Sequence, residues 1–507
     1  MSTAFQPIEI PPGVVATPTK KMMSSNYAEV NMVRWNSGQL APIGGQAKYN
    51  YTFTSPCRAI HGWYDLGSVY HVAYLCETNV YVDTGGQITE ITPAGGLTPP
   101  TLPGQGGYGD LDYSDDNYGT PRATRNLPGF HDIPPAWSMD NFGQILLVQT
   151  SPDGRLLEWN PQAAIGTKLT AVANAPLGRS FVVTSQRFVM MFGILGSGGS
   201  ARRFGWSDQE TYNNWDFANV ATKAGFYDIE PASPIMMGIS GRPGVMFFTA
   251  KKAYLVSYTG LPYIYSYTEL ADGPIPWSPK SIVATASQTL WMSEQGLWAF
   301  DGTSISPISC PVFPWVVDDI DDMYVRYFAC AVHVGDFNEF WWFFPQVGKG
   351  YNTRAVIYNY KEGWWGQAQM SRSAGITSSY TVETIMADRT SSCIHETGIA
   401  YFNSDIPWIE TFNLNVTKGS RLVTIKQLLP DIEGNVDQLR YNLFYRNSRS
   451  AGTGEVATPL VKVRDNGYVD FRTTGRDIRL RLSVTGPNVF PFVVGQHQID
   501  IVPRGDR

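Results

Sequence analysis

Charge is scarce in this sequence of 507 residues: Asp, Glu, Lys and Arg make up 16% of it, and the formal net charge is −6. Binding along a nucleic-acid backbone works by counterion release to clustered Lys and Arg. A weakly acidic chain with so few cations excludes a general affinity of that kind. Long apolar runs are missing too. No stretch approaches the ~20 apolar residues that a membrane-crossing helix needs, and residues 1–13 lack the basic segment and apolar core of a secretion signal. A soluble chain without membrane insertion is expected. Cysteine is sparse: Cys57, Cys76, Cys310, Cys330 and Cys393 are odd in number and lack CxxC spacing. That pattern is neither a disulfide framework nor a zinc site, and it fits buried, reduced thiols. GxxxxGK[ST], GxGxxG after a strand, HExxH and GxSxG are all absent, which removes the common nucleotide, metalloprotease and hydrolase readings.

What the chain has is aromatic side chains and turn formers. Aromatics reach 13%, with 15 Trp and 27 Tyr, enough apolar surface to offset the entropy of ordering. The 49 Gly and 34 Pro punctuate short β-branched and aromatic runs, the texture of many short strands and few helices. One hairpin recurs. Its clearest copy pairs Leu290-Trp291-Met292 with Leu297-Trp298-Ala299-Phe300 across Glu294-Gln295-Gly296, and ends at Asp301-Gly302. Related copies are 69–74 with 80–83, 145–149 with 156–159, 181–192 with a turn at Thr184-Ser185-Gln186, 245–249 with 253–258, 340–344 with 355–360, and a weaker pair at 384–386 and 398–402. About seven units of this kind predict an all-β fold: a β-propeller of about six to seven blades, in which each small sheet is buried only by its neighbours. A stacked pair of β-sandwiches is the structural rival. The expected domains are 1–50, a lead-in segment with the first blade strand; 51–411, the propeller, with a long Pro- and Gly-rich insertion at 92–136; and 412–507, an additional carboxyl-terminal β domain where Trp vanishes and Arg becomes frequent.

The polar clusters do not converge on one chemistry. Asp318, Asp319, Asp321 and Asp322 form an acidic knot that lacks the ordered oxygen ligands of an EF-hand, so it reads as a capped helical turn or solvated loop. His61 and His71 fall on one side of neighbouring strands, and His395-Glu396 is a possible acid/base pair without an identifiable third partner. The run Phe340-Trp341-Trp342-Phe343-Phe344 reads as a strand buried on both faces before it reads as a stacking platform. Alternation puts Arg479 and Arg481 on one face, with Arg476 nearby, either as plain solvent-exposed surface or as a dock for an acidic partner. No catalytic, metal or cofactor residue emerges, and the chain is expected not to be an enzyme.

Several stretches, in order and spread, resemble one family. They are Asn31-Met32-Val33-Arg34 with Gly38-Gln39-Leu40 and Gly44-Gly45; Trp206-Ser207-Asp208 with Trp215; Gly296 to Gly302 through Trp315-Val316 to Asn338-Glu339-Phe340-Trp341-Trp342-Phe343-Phe344-Pro345 and Val356-Ile357-Tyr358-Asn359-Tyr360; Trp364; and, near the end, Gly475-Arg476-Asp477-Ile478-Arg479-Leu480-Arg481 and Ile499-Asp500-Ile501-Val502-Pro503. Together they are similar to the tail nozzle proteins of short-tailed bacteriophages (podoviruses), also called packaged-DNA stabilisation proteins or tail accessory factors. The resemblance implies a structural virion protein of the viral tail, assembled in the host cytoplasm. It implies a homohexameric ring below the portal and its head-to-tail adaptor ring, which retains packaged DNA until ejection, binds tail fibres or spikes, and carries no catalytic residues. On this expectation, Asp318, Asp319, Asp321, Asp322, Arg476, Arg479 and Arg481 are candidate lumen or interface residues, past which genomic DNA moves without sequence-specific binding. The rival function is a carbohydrate-binding or glycan-cleaving β-propeller, suggested by Trp-rich strands and clustered carboxylates.

Overall fold

Alternating turn signals and apolar runs give one short strand after another, and in the computed structural model these strands collect into small antiparallel sheets. The structure describes residues 5–16, 26–100, 133–195, 199–230, 233–241, 243–285, 287–377, 383–398, 406–414, 422–447, 454–486, 488 and 491–504. Most of the expected insertion, residues 101–132, lies outside them.

The hairpin over 289–302 forms as its sequence suggests: Thr289–Ser293 pairs with Gly296–Phe300, and flanking strands Ile282–Ala284 and Ile305–Ile308 complete a four-stranded meander. Five further meanders repeat the plan, opening with Cys57–Tyr64, Trp137–Phe142, Ser180–Val183, Ile235–Ser240 and Cys330–Val334. A seventh sheet departs from it. Ala374–Thr377, Thr384–Ala387 and Ser391–Gly398 follow in order, but the fourth strand is Gly45–Thr52, from the other end of the chain. The second strand of this last hairpin is therefore Ser391–Gly398, earlier than the expected 398–402.

The opening strands of sheets one to four lie against one another in turn, as do those of sheets five to seven. The seventh lies against the first, and a shared core joins the fourth to the fifth, so the sheets surround an axis. This is a β-propeller. Its walls are apolar. Every residue of the strand Glu339–Pro345 is buried, as continuous apolarity between two neighbouring sheets requires. Sheets three and four share a core of Phe192, Phe204, Trp206, Phe247 and Tyr254, and sheets four and five share one of Met237, Met246, Phe248 and Trp291.

The carboxyl-terminal strands share their sheets with strands from the start of the chain. Phe5–Pro7 pairs with Gln498–Pro503, Tyr27–Asn31 with Trp408–Thr411, and the hairpin of Val33–Asn36 and Gln39–Pro42 with Phe492–Val494. Both ends of the chain thus build a second β unit, whose buried residues Val423, Ile425, Leu428 and Tyr441 are continuous with the core of sheets five to seven. Helices are minor: α1 (Phe313–Asp319) and α2 (Val325–Phe328) connect the fifth and sixth sheets.

Candidate functional site

A charged side chain inside an apolar strand must find a partner or carry a heavy desolvation cost. Arg34, in Met-Val-Arg-Trp, and Glu339, ahead of Phe-Trp-Trp-Phe-Phe, are two such residues, and they meet. Arg34 Nε donates to Glu339 Oε1 at 2.8 Å and Nη2 donates to Oε2 at 2.9 Å, a bidentate fork. Nη1 donates to Glu396 Oε2 at 2.6 Å. Trp341 Nε1 donates to Glu339 Oε2 at 2.9 Å, His395 Nε2 lies 2.9 Å from Glu396 Oε1, and Gln46 Nε2 lies 2.9 Å from His395 Nδ1. The Phe337 ring caps the guanidinium at 3.5 Å. The cluster joins the second β unit, the sixth sheet, the seventh sheet and its closing strand.

Backbone geometry serves this meeting. Glu396 has φ 61° at a register shift between His395 and Gly398, a left-handed bulge that re-aims its side chain. Gly44 passes so close that an added Cβ would lie 3.1 Å from the Glu396 Cβ. Burial alone would push the Glu396 carboxyl up, but the His395 contact and the Arg34 charge outweigh it and hold the group at about 2. Such a carboxylate has no proton to give near neutral pH. The structure brings His395 and Glu396 together, as an acid/base pair requires, yet commits Glu396 to Arg34.

A second polar group lies along the propeller axis. His61 and Trp63 share a face of the first sheet's opening strand, and the rings of His61, Trp63 and His71 stack, at centroid distances of 5.8 and 5.2 Å. His61 Nε2 lies 3.0 Å from Asn141 Oδ1 on the second sheet's opening strand, next to Asp140. Asp140 Oδ2 accepts the Val183 N–H of the third sheet at 3.0 Å. Burial raises the Asp140 carboxyl, against the pull of His61 and two backbone N–H groups, while burial lowers His61. Lys280, just before the fifth sheet, is brought down to about 8 by burial, with the Cys330 and Cys57 thiols opposing. Asp140 is thus a carboxyl biased toward its protonated form, a property expected of a general acid. The sequence gives no sign of this residue, because its environment comes from three separate sheets.

The acidic knot separates. Asp319 accepts from Arg354 Nε at 2.7 Å and from Gln346 Nε2 at 3.0 Å, and Asp321 Oδ1 accepts the Met323 N–H at 3.1 Å. Asp318 and Asp322 remain exposed. Among the described residues, no three His, Cys, Asp or Glu side chains are grouped to hold a metal ion.

The arginine face needs a correction. Arg479 is buried, not solvent-exposed surface: its guanidinium pairs with Glu410 and Glu455 and lies 5.1 Å from the Phe444 ring. The reason is the neighbouring strand Trp408–Thr411, whose Glu410 is paired in register with Arg481 and covers both arginines. Arg481 is half-buried, with its guanidinium 4.1 Å from the Trp408 ring and Nη1 3.7 Å from Glu410. Arg476 is half-buried and donates from Nε to the Asn447 carbonyl at 3.1 Å. The acidic partner of Arg479 and Arg481 belongs to their own chain.

No protein-family model matches the sequence, and no curated protein does. Solved structures do. An exported protein of Bacteroides fragilis is similar at 8% identity and a TM-score of 0.30, over 51% of this chain and 88% of its own. An exo-β-1,3-galactanase of Phanerochaete chrysosporium, crystallised with β-1,3-galactotriose, is similar at 8% identity and a TM-score of 0.26, over 89% of this chain and 100% of its own. A glycoside hydrolase is similar at 8% identity and a TM-score of 0.23, over 90% and 99%. With glycoside hydrolases among these neighbours, the expectation that the chain is not an enzyme is withdrawn. At such identities and TM-scores no activity transfers with the likeness.

Proposed function

We propose that the chain is a tail subunit of a short-tailed bacteriophage, forming the nozzle ring that retains the packaged genome, with the head-to-tail adaptor ring and tail fibres or spikes as partners. One observation supports this reading above others: stretches that carry the sequence resemblance, far apart in the chain, come together at one joint. Asn31 to Arg34, Gly44-Gly45 and Asn338 to Trp341 surround the Arg34 cluster, and Trp364 lies 5.2 Å from Trp35, between centroids, beside it. Weak motifs that share one buried joint behave as a single constraint on the fold, not as independent coincidences. A propeller closed by its own first strands is also a stiff body, suited to a wall around DNA. Within this reading, Asp318 and Asp322 are the acids of the knot left free to face the duplex and repel it. Mixing the purified chain with portal–adaptor complex and imaging by negative stain tests the proposal. A six-fold ring seated on the adaptor is expected, and a monomer that ignores the adaptor ends it.

A glycan-directed propeller is the second reading, and Asp140 favours it, because cleavage of a glycosidic bond needs a proton-donating carboxyl, and burial raises that of Asp140 above the ordinary carboxylate value. Release of reducing sugar from β-1,3-galactan and other polysaccharides, abolished by Asp140→Asn, is the expected result. Turnover that survives Asp140→Asn removes Asp140 from the chemistry.

A further inference from the structure

All five cysteines are free thiols, and two of them face each other. Cys57 begins the opening strand of the first sheet, and Cys76 ends the next strand, Tyr70–Cys76, directly opposite it in register. The other three are placed differently: Cys330 is opposite Phe343, Cys393 is opposite Met386 and Lys48 in its two ladders, and Cys310 lies between a strand and α1. The Cys57 N–H turns away to the Arg389 carbonyl at 3.0 Å, and the Cys76 N–H turns away to the Asn79 carbonyl at 2.9 Å. One step further out, the Glu77 N–H donates to the Pro56 carbonyl at 3.1 Å and joins the two segments. Cys57 and Cys76 are thus a pair without backbone hydrogen bonds to each other, the kind whose Cα atoms approach to about 4.5 Å and whose side chains lie closest. A disulfide spans Cα separations of about 4.4–6.8 Å, so the backbone can accept one where it stands. Both side chains are fully buried in one core with Phe53, Tyr74 and Tyr81. The same stretch carries the seam of the propeller: the Arg389 and Thr390 carbonyls, in a turn of the seventh sheet, take the N–H groups of Cys57 and Phe53 at 3.0 and 2.7 Å.

We infer that Cys57 and Cys76 form a disulfide when the chain meets a small-molecule disulfide such as glutathione disulfide, and that this bond locks the strand on which the seventh sheet closes. One cysteine thiolate attacks a sulfur of glutathione disulfide and releases a glutathione thiolate. The other cysteine thiolate then attacks the protein sulfur of the mixed disulfide and releases the second. The two electrons end on two molecules of glutathione, and the two thiol protons go with them. Exchange needs a thiolate, and burial pushes the Cys76 thiol far up, with Cys57 adding to the effect. The bond therefore forms while the strands are open, during folding or a local opening, and the closed sheet then shields it from reductant. It closes the hairpin loop between the two residues and so restricts the unfolded chain. The inference stands apart from both functional readings.

The full-length chain, held in urea just below its denaturation midpoint with glutathione disulfide or with reduced glutathione, then returned to buffer, tests it. Each sample is alkylated with iodoacetamide and digested without reduction for mass spectrometry, and its urea denaturation is measured in parallel. A linked Cys57–Cys76 peptide is expected in the oxidised sample alone, together with a higher denaturation midpoint than in the reduced one. Cys76→Ala is expected to remove both the linked peptide and the rise in midpoint, and Cys310→Ala to keep both. The unsubstituted chain decides the matter even where Cys76→Ala folds poorly. A peptide joining Cys57 to Cys330, glutathione adducts without a bridge, or five alkylated cysteines overturns the pairing. A Cys57–Cys76 bond that leaves the midpoint unchanged overturns the lock.

Discussion

Two regions of the molecule solve the same problem, joining one sheet to the next, by opposite means. Between the third and fourth sheets the joint is aromatic: Phe192 lies 5.7 Å and Phe204 5.2 Å from Phe247, between ring centroids. At the sixth and seventh sheets, where the amino-terminal strands come in, the joint holds Arg34 between Glu339 and Glu396. Apolar packing is non-directional and suffices when chain order already brings neighbours together. Strands from opposite ends of the chain have no such guide, and a bidentate ion pair, wrong in any other register, supplies direction.

The contrast can be broken at its centre. Arg34→Met leaves Glu339 and Glu396 buried without a counter-charge and is expected to cost about 3–5 kcal/mol in chemical denaturation. Adding Glu339→Gln and Glu396→Gln to that variant should recover much of the loss, whereas a cost unchanged by the additions would assign it to packing. The second β unit offers a pH probe. Burial holds His497 at about 4, with Tyr441 Oη 3.1 Å from Nε2, the Asp431 N–H 3.2 Å from Nδ1 and the Asp431 carboxylate opposing the shift. The unfolded chain takes up that proton near pH 6.5 and the folded one does not. The contribution is therefore full above about pH 6.5 and is lost as pH falls toward 4, by at most about 3 kcal/mol. His497→Gln should flatten this part of the stability profile. Gly44→Ala, pressing on Glu396, is expected to cost about 1–3 kcal/mol, read as a lower denaturation midpoint. At the small end, Arg326→Ala breaks an exposed pair with Glu294 at 2.9 Å. It should change stability by less than about 0.5 kcal/mol, and a larger effect would show that surface charge also organises the propeller.

Much of the propeller was legible because its signals are local. The hairpin at 289–302, the turn at 184–186 and the buried run at 340–344 each carry their own period and punctuation, and each forms where the sequence places it. Long-range partners leave no such trace. Nothing near Gly45 announces that it will complete a sheet with Ser391–Gly398. Arg479 looked like surface for the same reason: alternation gives the face, but only the distant strand Trp408–Thr411 decides what covers it. One signal was readable in principle. A lone charge amid apolar residues, as at Arg34 and Glu339, demands a buried counter-charge, although the sequence does not say which.

The closing strand sets an order of events during synthesis. Gln46 and His395, side by side in the finished sheet, are 349 residues apart, so a ribosome working at about 5–20 residues per second makes the second roughly 20–70 s after the first. For that interval the strand Gly45–Thr52 is made but its partner Ser391–Gly398 is not, while the intervening sheets are able to form in turn. Closure of the seventh sheet is then a late clasp: a strand made early fastens onto one made long after it.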